Sequence, residues 1–333
     1  MDIYKFLDID EAEVKDIIAN KNRYYISYPI KKRNKKKMRF IDAPQAELKI
    51  IQTAILKKIL YKYRAHPIAT GFIKNKSAID GAKKHLGQKV LLCVDIHNFF
   101  GSIKISQVTN LLAYLLPKKK EFAGLVKDQV KFHKEVNILA ELLTYKSRVP
   151  QGAPTSPVIS NLICLSIDKR LKALEKTFKC TVSRYADDIA VSSKDTLQIK
   201  ELIHELKTIL ASRGFRLNKE KTRVIRSNKR MQVTGIVVND ITSVPKKFWR
   251  GLRAKLHNAK LDQTQFDTAQ YQKVRGQIEW IRALNPSRGN QLLDQLFKVD
   301  LSQVDKCLVA STSYNYQLPD EIVKQQKRQE LFS

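Results

Sequence analysis

Residues 180–193 read CTVSRYADDIAVSS, and the fold turns on how that stretch is read. Its flanks are rich in β-forming residues and its centre is polar, so it predicts a hairpin with Ala186–Asp187 near the turn. Adjacent aspartates are common, and a solvated turn is the plain explanation of Asp187 and Asp188. Here the pair lies between two apolar β-segments, where a charged tip is costly unless something compensates it. A divalent cation does so well, because hard carboxylate oxygens suit Mg²⁺. One carboxylate cluster rarely builds a two-metal site alone, so another acid is expected from a neighbouring strand.

Asp95 is placed for that. It ends Lys89–Asp95 (KVLLCVD), a continuously apolar run of the kind expected of a strand buried on both faces. A helix cap at the end of a strand is the ordinary reading of such an aspartate. Two acids terminating buried strands in one basic chain are harder to dismiss. Two metal ions about 3.5–4 Å apart would activate an attacking hydroxyl and steady a leaving pyrophosphate in nucleotidyl transfer. That chemistry needs little beyond positioning and charge neutralisation.

Further out, Tyr24–Ile30 (YYISYPI) and Met38–Ile41 predict two strands around Lys31–Lys37 (KKRNKKK), a hairpin with a very basic tip. Residues 46–63 and 196–213 carry apolar residues at helical spacing, the second segment closed by Gly214. Residues 158–177 also read as helix and Met231–Val238 (MQVTGIVV) as a strand. From Pro245 onward the pattern is helical apart from a small turn at Asn285–Gly289.

Length and composition bound the function. The 333 residues suffice for one large domain or a few subdomains sharing a core, and 43% hydrophobic content argues against wholesale disorder. Lys plus Arg number 62 against 32 Asp plus Glu, a formal +30. A surface that basic attracts polyanions, and nucleic acid is the expected partner. An anionic membrane would call for a basic amphipathic helix bearing exposed bulky apolar residues, and none stands out. Cys93, Cys164, Cys180 and Cys307 form no CxxC pair, which argues against zinc; Cys93 and Cys164 read as small core residues. The acidic start, MDIYKFLDIDEAEVKD, lacks the apolar run of a signal peptide, and no stretch has the length of a membrane span. A soluble, cytoplasmic protein is expected.

At this point the chain resembles the palm of reverse transcriptases. Tyr185-Ala186-Asp187-Asp188 and the Asp-ending strand are joined by Asp95-Ile-His-Asn-Phe-Phe100, similar to the family's first metal-binding motif. Pro150-Gln-Gly-Ala-Pro-Thr-Ser-Pro157, continuing to Asn161, is similar to its nucleotide-positioning motif. Gly214-Phe-Arg-Leu-Asn218 with Lys221-Thr222 resembles the motif after the metal-binding hairpin, and the blocks run in the family's order.

The resemblance implies an α+β, right-hand polymerase fold: fingers 1–88 with 105–148 contributing, a palm of 89–104 and 149–240 with an antiparallel sheet and flanking helices, and a basic helical thumb 241–333. It implies that Asp95 and Asp187 ligate both Mg²⁺ ions, with Asp188 nearby and less direct, and the Ile96 carbonyl as an extra ligand. Phe100 takes the steric-gate position, its ring standing where a ribose 2′-OH would lie and so favouring dNTP substrates; plain core packing is the alternative. Gln151 and Gly152 would shape the nucleotide site, glycine permitting close backbone approach. Arg39, with Lys37 just before it, would reach the triphosphate, unless both belong to a solvated charge run. Lys221 would donate a proton to pyrophosphate, contact a phosphate, or simply be exposed.

The finer resemblance is to the retron reverse transcriptases of bacteria. Ala82-Lys-Lys-His85 matches most of that group's Asn-Ala-x-x-His block, with Gly81 in place of the asparagine, and Val233-Thr234-Gly235 matches its VTG triplet, associated with recognition of structured RNA. Such enzymes copy a dedicated non-coding RNA into a branched RNA–DNA molecule (msDNA), start from an internal guanosine 2′-OH, and act in anti-phage defence with a separate effector protein. The tail would then grip the RNA–DNA hybrid, with Arg253, Lys255, Arg275 and Arg282 as contacts and Trp249 and Trp280 as core. The residues beyond 240 are too few and too poor in paired acids for an RNase H domain, so a host RNase H would remove the template. Competing readings are another bacterial reverse transcriptase, a non-catalytic RNA-binding scaffold, and an RNA-dependent RNA polymerase, which would want a polar residue in place of Phe100.

Overall fold

The hairpin around Asp187 and Asp188 forms half of a four-stranded sheet. The protein is seen here as a computed structural model that describes residues 2–31, 38–122, 127–261, 266–299 and 304. It divides into two compact units, with the boundary between Thr234 and Gly235.

In the first unit, β1 (Tyr25–Lys31) and β2 (Met38–Pro44) pair as an antiparallel hairpin. Strand β3 (Val90–Asp95) lies inside a second sheet with β4 (Thr181–Tyr185), β5 (Asp188–Ser193) and β6 (Arg223–Arg226), in the order β4-β5-β3-β6. All three pairings are antiparallel. The apolar run of β3 follows from this place: Leu91, Leu92 and Val94 are buried. Helices α1 (Ile3–Leu7), α2 (Glu11–Ala19), α3 (Ala46–Lys58), α4 (Ala78–Lys83), α5 (Ile105–Leu115) and α6 (Gln129–Leu142) precede or interrupt the sheet strands. Helices α7 (Ser156–Ile163) and α8 (Leu165–Thr177) lead into β4, and α9 (Ile199–Ala211) follows β5. One continuous apolar core, running from Ile3 to Phe215 in sequence, joins these helices other than α4 to the sheet.

The helix expected over 158–177 is two helices, broken at Cys164, whose ψ of −3° departs from helical geometry. The strand expected over Met231–Val238 is also broken. Only Gln232–Val233 (β7) is extended on this side, because Thr234 and Gly235 both take positive φ, 49° and 85°. Such a tight turn interrupts any strand that runs through it.

The second unit begins with β8 (Ile236–Val237) and continues as α10 (Lys246–Leu261), α11 (Thr268–Leu284) and α12 (Pro286–Leu296). Helices α11 and α12 pack together through Tyr271, Val274, Ile278 and Ile281 on one and Leu292, Leu293 and Leu296 on the other. The turn expected at Asn285–Gly289 shrinks to Asn285 alone, whose side chain caps α12 by accepting from the Arg288 N–H at 3.1 Å. Gly289 is buried against Arg282, where a Cβ would have no room. Among the described residues, no helix is long and apolar enough to cross a membrane.

Candidate active site

The acids come together because of register. Asp95 ends β3, Asp188 starts β5, and the two are direct cross-strand partners, which puts their side chains on one face of the sheet. Tyr185 pairs with Asp188, leaving Ala186 and Asp187 as a two-residue turn. Ala186 has φ 54°, at the first turn position usually given to glycine. Such a conformation costs about 1 kcal/mol or more unless its surroundings enforce it. They do: the Asp187 carbonyl accepts the Ile96 N–H at 2.9 Å. Gly71 lies so close that a Cβ there would come within 2.9 Å of the Ala186 nitrogen.

Asp95 is held from the far side by the segment after α9. Asn218 donates its N–H to the Asp95 carbonyl at 2.8 Å and its side-chain amide to Oδ1 at 3.0 Å. Lys221 Nζ donates to Asp95 Oδ2 at 2.6 Å. Asp187 is compensated directly only by a backbone N–H. Burial, followed by the Asp95 charge, raises the pKa of Asp187, while Lys221 and Arg39 pull it down. Burial, then Asp187, then Asp95 push Asp188 up to about 6.

Arg39 projects from β2, and the same strand meets the segment carrying Gln151. The Asp42 N–H donates to the Gln151 carbonyl at 2.9 Å. Gly152 has φ 143°, and a Cβ on it would fall 2.7 Å from the Asp42 carbonyl oxygen. Both the conformation and the close approach require glycine. Phe100 is half-buried, with its ring centroid 5.3 Å from Phe99 and 6.2 Å from Phe72. Phe72 is exposed, has φ 60°, and stands 6.2 Å from Tyr185 as well.

Does this donor set fit metal ions? Among the described residues, no three acidic, histidine or cysteine side chains converge closely enough to hold an ion by themselves. Lys221 occupies one oxygen of Asp95. Hard cations of the Mg²⁺ type are nevertheless commonly held by one or two carboxylates, with substrate phosphates and water completing the shell. Three aspartates gathered at one sheet end, two with pKa values raised by burial and then by their neighbours' charge, fit an ion that arrives with its nucleotide.

Other expected contacts lie elsewhere. His85, expected among the nucleic-acid contacts, is wholly buried, its ring nitrogens 2.6 Å from Ser192 Oγ and 2.7 Å from Ser183 Oγ. It clamps the chain after α4 to the sheet and offers nothing to a ligand. Gly81, which stands where an asparagine was expected, has Thr70 Oγ1 only 2.7 Å from the place of a Cβ, so a larger side chain would have to displace that hydroxyl. Val233 is buried too, leaving the turn at Thr234 and Gly235 as the accessible part of its triplet. Arg253 and Lys255 are exposed on α10. Arg282 is half-buried beside Glu279 at 3.5 Å. Trp249 is half-buried under Arg288, but Trp280 is 37% exposed and not core. Lys37 and Cys307 lie outside the described residues. Sequence reasoning gave no role to Asn218, Phe72 or Arg184. Of these, only Asn218 carried a signal, its place in the motif that ends at Lys221.

An antiparallel sheet bearing three acids at the strand ends, braced by helices and faced by a basic hairpin, is the palm of a right-hand polymerase fold. In a solved structure, telomerase from Candida albicans shares that fold with a TM-score of 0.51 at 14% identity, over 82% of this chain and 55% of that one. The sequence profile of reverse transcriptase (RNA-dependent DNA polymerase) matches residues 30–238. The chain belongs to the reverse transcriptase family. It is 32% identical to the retron Mx162 reverse transcriptase of Myxococcus xanthus, over 83% of this chain and 61% of that protein. It is 30% identical to the retron Mx65 enzyme of the same organism over 81% and 64%, and 28% identical to the retron Ec86 enzyme of Escherichia coli over 84% and 82%. The chain thus spans less than two thirds of the length of the two Myxococcus relatives.

Proposed function

We propose that this chain is an RNA-directed DNA polymerase of the retron type, which copies a cognate structured non-coding RNA into msDNA. The observation that carries this reading is the meeting of Asp95, Asp187 and Asp188 at one sheet end. A primer hydroxyl attacks the α-phosphorus of a dNTP; the new P–O bond forms as the bond to the β-phosphate bridge breaks, and pyrophosphate leaves. Bound Mg²⁺ ions would supply charge neutralisation and lower the pKa of the attacking hydroxyl. Asp95 and Asp187 would hold them, with Asp188 beside them and the Ile96 carbonyl contributing. Gln151 and Gly152 set the floor of the nucleotide site, Arg39 and Lys37 meet the triphosphate, and Phe100 excludes a 2′-OH. Lys221 delivers a proton to the departing pyrophosphate. The first primer is an internal guanosine 2′-OH of the RNA, and a host RNase H removes the copied template.

The turn at Thr234–Gly235 and the basic faces of α10 and α11 are read as contacts to RNA and to the hybrid. Arg253 and Lys255, exposed on α10, suit a backbone grip insensitive to sequence. The product and a separate effector protein would act together in anti-phage defence in the cytoplasm. Support comes from the retron relatives and from the formal charge of +30.

The test is to express the chain with its native flanking DNA beside an Asp187→Asn/Asp188→Asn variant and examine the co-purifying nucleic acid. After RNase treatment, a discrete DNA that depends on the acid pair and keeps a debranchable RNA remnant is expected. RNA alone in both samples would favour a binding scaffold, and unbranched DNA another kind of reverse transcriptase.

A further inference from the structure

Arg184 is the largest fully buried side chain of the described residues, and no part of the polymerase chemistry above uses it. Its guanidinium is paired bidentately with Asp168, Nε to Oδ1 and Nη2 to Oδ2 both at 2.6 Å, and neither side chain reaches solvent. The remaining arm, Nη1, donates to the Ala186 carbonyl at 3.0 Å and to Asn161 Oδ1 at 3.1 Å. Asn161 in turn donates to the Gly71 carbonyl at 2.9 Å.

A buried ion pair is poor evidence for stability, since apolar residues of similar volume often do as well. Its geometry carries more meaning. The Ala186 carbonyl belongs to the peptide that leads into Asp187, and the Asp187 carbonyl to the peptide that leaves it. Arg184 fixes the first plane and the Ile96 N–H fixes the second. Asp187 is therefore gripped on both sides, in a turn whose strained alanine would otherwise relax.

We propose that Arg184 is a positioning residue for the metal-binding turn: neutralised by Asp168, it orients Asp187 and ties the turn through Asn161 of α7 to the segment carrying Gly71. This rests on the reading of Asp187 as a metal ligand.

The experiment compares Arg184→Lys with the paired variant Arg184→Met/Asp168→Leu. Lysine keeps the charge opposite Asp168 but lacks the fork that also reaches Ala186. The paired variant leaves no charge unpartnered. Folding is checked by circular dichroism and melting, Mn²⁺ binding by electron paramagnetic resonance with a dNTP present and no template, and turnover with Mg²⁺. Both variants should fold, bind Mn²⁺ about 10- to 100-fold more weakly and lose kcat similarly, the scale of outer-shell partners. KM for the nucleotide, measured at saturating Mg²⁺, should stay within about threefold, because Arg184 itself touches no substrate. Folded variants with unchanged Mn²⁺ affinity would overturn the proposal. So would failure of Arg184→Lys to fold, since a purely structural role would then suffice. Asp187→Asn is the control: if it leaves Mn²⁺ affinity unchanged, the metal reading fails and not the positioning one.

Discussion

Lys221 and Asp95 form a 2.6 Å ion pair in which the carboxylate is buried and the lysine side chain is 59% exposed. The cation read as the proton donor to pyrophosphate therefore rests, without metal, on a proposed metal ligand. Removing it should split two properties. Lys221→Met should lower kcat by about 10²-fold, the ordinary range of general-acid contributions. It should also tighten Mn²⁺ binding by roughly fivefold, because one exposed like charge at about 4 Å is worth about 1 kcal/mol in water. Spin-resonance titration and single-turnover extension measure the two separately. Unchanged kcat would leave Lys221 an exposed side chain.

Asp188 gives a prediction of unusual sign. Its folded pKa, about 6, lies above the ordinary 3.8, so its ionised form destabilises the metal-free fold at neutral pH, and protonation below about 6 relieves this. Asp188→Asn should therefore raise the metal-free melting temperature by about 2–4 °C. That corresponds to roughly 1 kcal/mol after discounting for the solvent open to this side chain. The same proton competes with metal, so the Mg²⁺ concentration for half-maximal extension should rise up to about tenfold per pH unit below 6. Melting scans in chelator and Mg²⁺ titrations at pH 5 to 8 check both.

What was legible in the sequence is what is local. Asp95 and Asp187 could be read because one ends a strand and the other sits in the turn between two, and both features are written in a few neighbouring residues. The close approach at Gly152 announces itself by residue type. Arg184 could not be found this way, because its partners lie 16 and 23 residues away and it looks like one polar position in a strand. His85 stands out only through the block it shares with retron enzymes, and its burial was not legible locally because the serines that satisfy it are 98 and 107 residues distant. Helical periodicity in α11 gave a buried stripe but did not say that Trp280 would be left outside it.

His85 should act on stability and not on RNA. Burial pushes its pKa down to about 4 from 6.5. The unfolded chain therefore binds the extra proton between those values, and the histidine's contribution is fully present above about 6.5 and lost as pH falls through 4. Its size is about 3 kcal/mol. Urea denaturation of the wild type and His85→Gln isolates this, since the acids' titrations cancel in the difference. The wild type's advantage should shrink by that amount between pH 7 and pH 4, with RNA affinity at pH 7 unchanged. A selective loss of RNA binding would restore His85 as a contact.

Phe100 is held from two sides, by Phe99 at 5.3 Å and by the exposed Phe72 at 6.2 Å. Phe99 is core, so it fixes the base of the pair, and Phe72 is the side that a nucleotide sugar could meet. If the ring excludes a 2′-OH by occupying its volume, shortening it should admit ribonucleotides with little harm to deoxynucleotides. Phe100→Val should raise the ribo-to-deoxy ratio of kcat/KM by about 10- to 100-fold, the discrimination a steric contact of this size supplies. Phe72→Ala should give a smaller leak, because it only frees the ring to move. Single-nucleotide extension with paired rNTP and dNTP substrates measures the ratio. If Phe100→Val instead lowers both efficiencies equally and the melting temperature falls, the ring is core packing, and discrimination must come from the segment carrying Gln151.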